Sequence, residues 1–231
     1  MLRTHPQAAS FQARAVAARR SLGAERSSNY SEVVPPAVNK SFVTIVSGLP
    51  RSGTSMLMRM LGAGGIEPLS DGKREADDDN PHGYFEYEPI RKLADDASCI
   101  YRAGGRSVKV ISALLEHLPA DLDYRVLFVL RDMTEVLASQ RRMLGNRGKP
   151  AENAGDGRLA ELFGRHLEQV KSRLNAATGT GVLYLDYAAT VRDPASAAQQ
   201  INVFLGGALN ETAMAAAVSG ELYRNRAGQQ A

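Results

Sequence analysis

The sequence predicts an α/β fold: a three-layer αβα domain on a central parallel sheet. Three observations predict it. Four short runs, 42–47, 107–111, 125–130 and 182–186, are nearly continuous in apolar residues, as strands buried on both faces are. Helical patterns separate them at 54–61, 90–97, 134–143, 159–176 and 195–205, and strands alternating with helices pack as a parallel sheet with helices on both faces. The chain's 231 residues, 44% of them hydrophobic, suffice for one sizeable core and one domain.

Taken in chain order, residues 1–40 carry Arg3, Arg14, Arg19, Arg20, Arg26 and Lys40 against Glu25 and Glu32, a net +4 in a chain whose total is +3. The remainder therefore sums to −1, and the charge gives no support for a nucleic-acid-binding core. A loosely ordered Arg-rich arm over 1–40 is expected, followed by a single domain over 41–231. The acid-free, Arg- and Ser-containing start also fits a targeting or docking segment, but its apolar content is too low for a secretory signal. Pro35-Pro36 breaks the chain before the first strand.

The first strand runs into Gly48-Leu49-Pro50-Arg51-Ser52-Gly53-Thr54-Ser55, which opens the helix at 54–61. Such a strand–loop–helix aims several backbone N–H groups and a helix N-terminus at one point, a cradle for a phosphate-like anion. The spacing is that of the nucleotide phosphate loop, with Thr54 standing where its Lys belongs. That Lys neutralises the β- and γ-phosphates, so kinase or NTPase chemistry is not expected, and Arg51 is the remaining cation of the loop.

Asp71, Glu75, Asp77, Asp78 and Asp79 read as a solvated acidic loop. Asn80-Pro81-His82-Gly83-Tyr84-Phe85-Glu86-Tyr87-Glu88 follows. Here Glu86, between Phe85 and Tyr87, is the expected general base, its pKa raised by desolvation, with His82 and Asp71 in reserve. Cys99, the single cysteine, excludes a disulfide framework and a Cys-based zinc site and is expected to be buried in a helix.

Lys109 interrupts the apolar strand 107–111, where an ammonium without an anion partner is costly; escape to a sheet edge is the alternative. After the strand 125–130, Arg131 projects toward the site, with pairing to Asp132 or a neighbouring acid as the alternative, and Asp132 with Glu135 forms a D-x-x-E cap on the next helix, which carries Ser139. Arg51, Lys109, Arg131 and Asp186 all fall at or just past strand carboxyl ends, where ligands of such sheets gather. Residues 145–157, rich in turn formers, are expected as an exposed loop or lid. His117 and His166 lie in helical patterns with no expected chemistry.

The loop Gly-Leu-Pro-Arg-Ser-Gly-Thr-Ser, followed by a strand–Arg-Asp–helix–Ser segment, resembles the sulfotransferases that use 3′-phosphoadenosine 5′-phosphosulfate (PAPS), over roughly 42–205. The Pro-Arg-Ser-Gly-Thr form is closer to the bacterial and tyrosylprotein branches. The resemblance implies a P-loop nucleotide-binding-like fold and PAPS as co-substrate, with no metal required. It implies phosphosulfate ligands at Pro50, Arg51, Ser52, Gly53, Thr54 and Ser55, 3′-phosphate ligands at Arg131 and Ser139, and catalytic roles for Glu86, Lys109 and Arg51. The acceptor is a small molecule, glycan or peptide, with nucleic acid not expected. The Gly-rich C-terminal segment that the cytosolic branch places against the 3′-phosphate has no match here, and Arg147-Gly148-Lys149 is the substitute considered. The rival readings are a nucleotide kinase with a degenerate phosphate loop and a non-catalytic nucleotide-binding module. No apolar run approaches the ~18 residues of a membrane span, and a cytoplasmic setting is expected.

Overall fold

The computed structural model describes residues 42–77, 80–146, 148 and 156–220. The arm expected over 1–40 and most of the loop expected over 145–157, Arg147 and Lys149 included, lie outside the described residues.

Among the described residues, four strands, β1 (Val43–Gly48), β2 (Ser107–Lys109), β3 (Tyr124–Leu130) and β4 (Thr180–Asp186), form one parallel sheet in the order β2-β1-β3-β4. Side chains alternate across the sheet with the period of two that a strand imposes. Val43, Ile45, Val126 and Phe128 enter one core with Ile90, Leu93, Ile100, Val170 and Leu174. Val46, Leu127 and Val129 enter the other with Leu57, Leu61, Ala198, Ile201 and Met214. Ile45, Leu127 and Phe128 are completely buried, and each such side chain contributes roughly 1.5–3 kcal/mol.

The helices are α1 (Thr54–Gly64), α2 (Met133–Asn146), α3 (Asp156–Ala176), α4 (Tyr187–Arg192), α5 (Pro194–Phe204) and α6 (Glu211–Ala216). The helix expected over 90–97 is instead a 3-10 turn at Glu88–Lys92 followed by irregular turns. Only Ile90 and Leu93 of that stretch are buried, and Asp95 and Asp96 would put like charge at the negative end of any helix continued there. Cys99 is buried as expected, but it precedes a 3-10 turn (Ile100–Arg102) rather than lying in a helix.

The strand order positions the site. From β1 the chain crosses to β2 on one side and then to β3 on the other, so β1 and β3 are neighbours from which the connections diverge. In open parallel sheets the crevice beyond such a switch point receives the ligand. The loop after β1 and the arginine after β3 both stand there.

Candidate active site

The cradle is built on conformations that few side chains tolerate. Gly48 has φ 152°, and a Cβ there would lie 2.8 Å from the carbonyl oxygen of Val129. Gly53, the N-cap of α1, has φ 113°, and its Cβ would lie 2.4 Å from the Tyr187 ring. Between them Arg51 adopts φ 71°, a left-handed conformation costly for a non-glycine residue. Gly53, Thr54 and Ser55, at the end of α1 whose first N–H groups have no partner one turn back, line the crevice this turn encloses.

Contacts explain how Arg51 is held. Its Nε donates to Ser139 Oγ at 3.0 Å, and Arg131 donates from a terminal nitrogen to the Arg51 carbonyl oxygen at 3.2 Å. Arg131 is itself fixed. Its Nε donates to Glu135 Oε2 at 2.9 Å in a pair whose side chains are 7% and 3% exposed, and its guanidinium lies 4.2 Å from the Tyr187 ring centroid. Asp132 caps α2 as expected, accepting from the N–H groups of Thr134 and Glu135 at 2.8 and 3.2 Å. Glu135 pairs with Arg131, which precedes the helix, so the alternative of Arg131 paired with a neighbouring acid is the one found.

Lys109 stands at the carboxyl end of β2, in register with Val46. Its ammonium donates to the Tyr84 carbonyl oxygen and to Ser55 Oγ at 3.3 Å. Burial, reinforced by the nearby charges of Arg74 and Arg51 and opposed by Glu86, lowers its pKa to about 8. Ser55 Oγ also accepts from Asn80 Nδ2 at 3.0 Å, so the turn after Asn80 is fastened to the loop. Phe85 takes a left-handed φ of 51°, which leaves Tyr84 buried and brings Glu86 to the cavity wall.

The raised pKa expected for Glu86 is not found. Burial pushes its carboxyl up, but the hydrogen bond from Arg91 (2.9 Å) and the charge of Arg74 (2.6 Å away) outweigh it, and the group titrates below its ordinary range. The flanking aromatic residues predicted desolvation correctly. The arginines come from positions 12 residues earlier and 5 later, which no local pattern indicated.

One cavity of about 320 Å³ gathers Gly48, Pro50, Arg51, Gly53, Thr54, Ser55, Glu86, Lys109, Arg131 and Ser139. Ser52 is packed beneath, 1% exposed, and does not line it. Asp186, grouped with the strand-end candidates, is not in the cavity wall. It caps α4, accepting from the Ala189 N–H at 2.7 Å. His82 and Asp71 are also absent from the wall. Asp71 instead accepts from the N–H groups of Glu88 (2.7 Å) and Lys73 (3.1 Å), which hold its pKa down. Asp77 is not merely solvated, since it accepts from the Tyr84 hydroxyl at 2.6 and 2.8 Å. His166 shares a 2.9 Å hydrogen bond with Ser112, away from the site.

The wall also contains Arg59, Arg74, Asn80, Tyr84, Arg142 and Tyr187, which sequence reasoning did not single out. Helical spacing held a signal for two of them: Arg59 lies four residues beyond Ser55, and Arg142 three beyond Ser139. Six cations thus line the cavity, and among the described lining residues Glu86 is the one carboxylate.

Comparison with known proteins agrees with this architecture. The model of the sulfotransferase domain matches residues 43–222. No curated protein sequence matches the chain significantly. Among solved structures, the sulfotransferase domain of the Synechococcus PCC 7002 olefin synthase is 18% identical, covers 82% of each chain and superposes with a TM-score of 0.51. A sulfotransferase from Alicyclobacillus acidocaldarius is 18% identical over 71% of this chain and 81% of its own, at a TM-score of 0.46. A mouse sulfotransferase, SULT7A1, complexed with PAP, is 16% identical over 86% and 73%, at 0.45. With more than half of its residues matched by that domain model, the chain belongs to the sulfotransferase family.

Proposed function

We propose that this chain moves a sulfuryl group from PAPS to a hydroxyl or amine acceptor by in-line displacement at sulfur. The observation that carries the reading is the convergence of the Lys-less phosphate loop with Arg51, Lys109 and Arg131 on one cavity. The donor fits this residue set. A phosphosulfate needs N–H donors and cations but no divalent ion bridging β- and γ-phosphates. Gly53, Thr54 and Ser55 hold it by backbone N–H groups and hydroxyls, and Pro50 and Ser52 shape the turn. Arg131 and Ser139 face the 3′-phosphate.

Bond making and breaking draw on three side chains. The acceptor's oxygen or nitrogen forms the new bond to sulfur as the bond to the bridging phosphate oxygen breaks. Lys109, with Arg51, stabilises the charge that gathers on the departing phosphate oxygen. A preorganised cation of this kind is typically worth ~10²–10³ in rate. Glu86 accepts the acceptor's proton. Its arginine partners weaken it as a base but keep it ionised at neutral pH.

The test is transfer of sulfur label from PAPS to pooled hydroxyl and amine acceptors, with and without a chelator. Label should move to an acceptor, undiminished by chelation. If label stays on the donor while ATP with Mg²⁺ is consumed, the chain is a nucleotide kinase and the proposal fails.

A further inference from the structure

Of the cations in the cavity wall, Arg59 is the one whose cost nothing yet explains. It projects from α1 one turn beyond Ser55, is half-buried, and donates from Nε to the carbonyl oxygen of Ala217 at 2.6 Å. Burial lowers its pKa. No carboxylate pairs with it among the described residues. A partly desolvated guanidinium without a counter-ion is unfavourable unless an anion arrives to meet it.

The other cations are accounted for. Arg74 is paired with Glu86, and Arg131 with Glu135, so each of those pairs is close to neutral overall. Arg51 and Lys109 stand at the loop. Arg142 is exposed, so its charge stays solvated and costs little. A phosphate monoester carries about −1.5 to −2 at neutral pH, more than the Arg131–Glu135 pair can balance. Arg59 lines the same cavity as Arg131 and Arg51, and the Tyr187 ring in that wall lies against both the start of α1 at Gly53 and the Arg131 guanidinium.

From this placement we infer that Arg59 is a specificity-determining residue that supplies the net positive charge for the donor's second anionic group, the 3′-phosphate. The inference rests on the donor reading above. The Nε contact to Ala217 anchors the guanidinium and leaves its terminal nitrogens for the phosphate oxygens. The backbone around 217–219 then closes that end of the cavity, with Ser219 in the wall.

Calorimetry with adenosine 3′,5′-bisphosphate and with AMP tests it on the full chain and on Arg59→Gln and Arg59→Lys. The unaltered chain should bind the bisphosphate more tightly than AMP. Arg59→Gln should weaken the bisphosphate by about 10–100-fold, the worth of a charge-assisted hydrogen bond, and leave AMP nearly unchanged. Arg59→Lys, which keeps the charge but loses the Nε geometry, should retain most of the preference. Equal weakening of both nucleotides by Arg59→Gln overturns the inference, as does equal loss of preference in the two variants, which would mark Arg59 as only a structural tie to Ala217. Thermal unfolding of each variant identifies a folding defect, in which case the comparison rests on Arg59→Lys, and a lost preference there counts against the inference. If the unaltered chain itself binds both nucleotides alike, the donor reading falls first.

Discussion

Lys109→Met isolates the cost of keeping an ammonium at the end of β2. In the folded chain the lysine titrates near pH 8, against an ordinary value of 10.5. Between those values the unfolded chain binds more protons at this group than the native chain does, so native stability rises with pH across the window. The penalty is fully present below pH 8 and disappears above 10.5. At ~1.4 kcal/mol per pH unit the gap corresponds to about 3 kcal/mol. Methionine fills the same volume without titrating. Urea unfolding at pH 7 and pH 10 should therefore show the unaltered chain gaining roughly 2–3 kcal/mol on the variant, because every other titrating group is common to both. At pH 7 the variant also forgoes the hydrogen bonds to Tyr84 and Ser55, about 1 kcal/mol each, so its absolute stability there should be close to that of the unaltered chain. Transfer activity should nevertheless fall by ~10²–10³. Stability curves that run parallel between the two pH values would refute the reasoning, since the ammonium would then be solvated and unsuited to stabilising a leaving oxygen.

Further expectations follow from the same geometry. In pH profiles of kcat/KM for the donor, which report the free enzyme, activity should fall as pH rises through about 8, where Lys109 loses its proton. No limb from Glu86 should appear above its ordinary range near pH 4.5. Glu86→Gln should lower kcat by ~10²–10⁴ in steady-state assays while calorimetric affinity for adenosine 3′,5′-bisphosphate changes little. Gly53→Ala would drive a Cβ into the Tyr187 ring at a φ of 113°; denaturant unfolding should show a loss of about 1–3 kcal/mol. Glu135→Gln would leave Arg131 buried without its partner carboxylate and should cost about 3 kcal/mol or more, with donor affinity falling as Arg51 loses its anchor.

The sheet was legible because buried parallel strands read as unbroken apolar runs, and 42–47 and 125–130 match β1 and β3 nearly residue for residue. The turn between β1 and α1 was legible because backbone spacing specifies it, and the positions of Gly48 and Gly53 record that spacing. The pairing of side chains was not. Glu86 looked like a desolvated base from its aromatic neighbours, but its titration is decided by Arg74 and Arg91, brought to it by turns with no periodic signature. Arg131 looked available to a phosphate, yet its reach to the Arg51 carbonyl depends on β3 lying beside β1, and strand order is not written in either strand. Residues 90–97 were misread for a related reason: two apolar positions at helical spacing suit a single 3-10 turn equally well.

The most direct test of the central claim is a crystal structure of the full chain with adenosine 3′,5′-bisphosphate. The 5′-phosphate should lie within hydrogen-bond distance of the N–H groups of Gly53, Thr54 and Ser55 and beside Lys109 Nζ. The 3′-phosphate should lie between Arg131, Ser139 and Arg59. A nucleotide bound elsewhere, with the turn around Arg51 and Ser55 making no contact to either phosphate, would contradict the account.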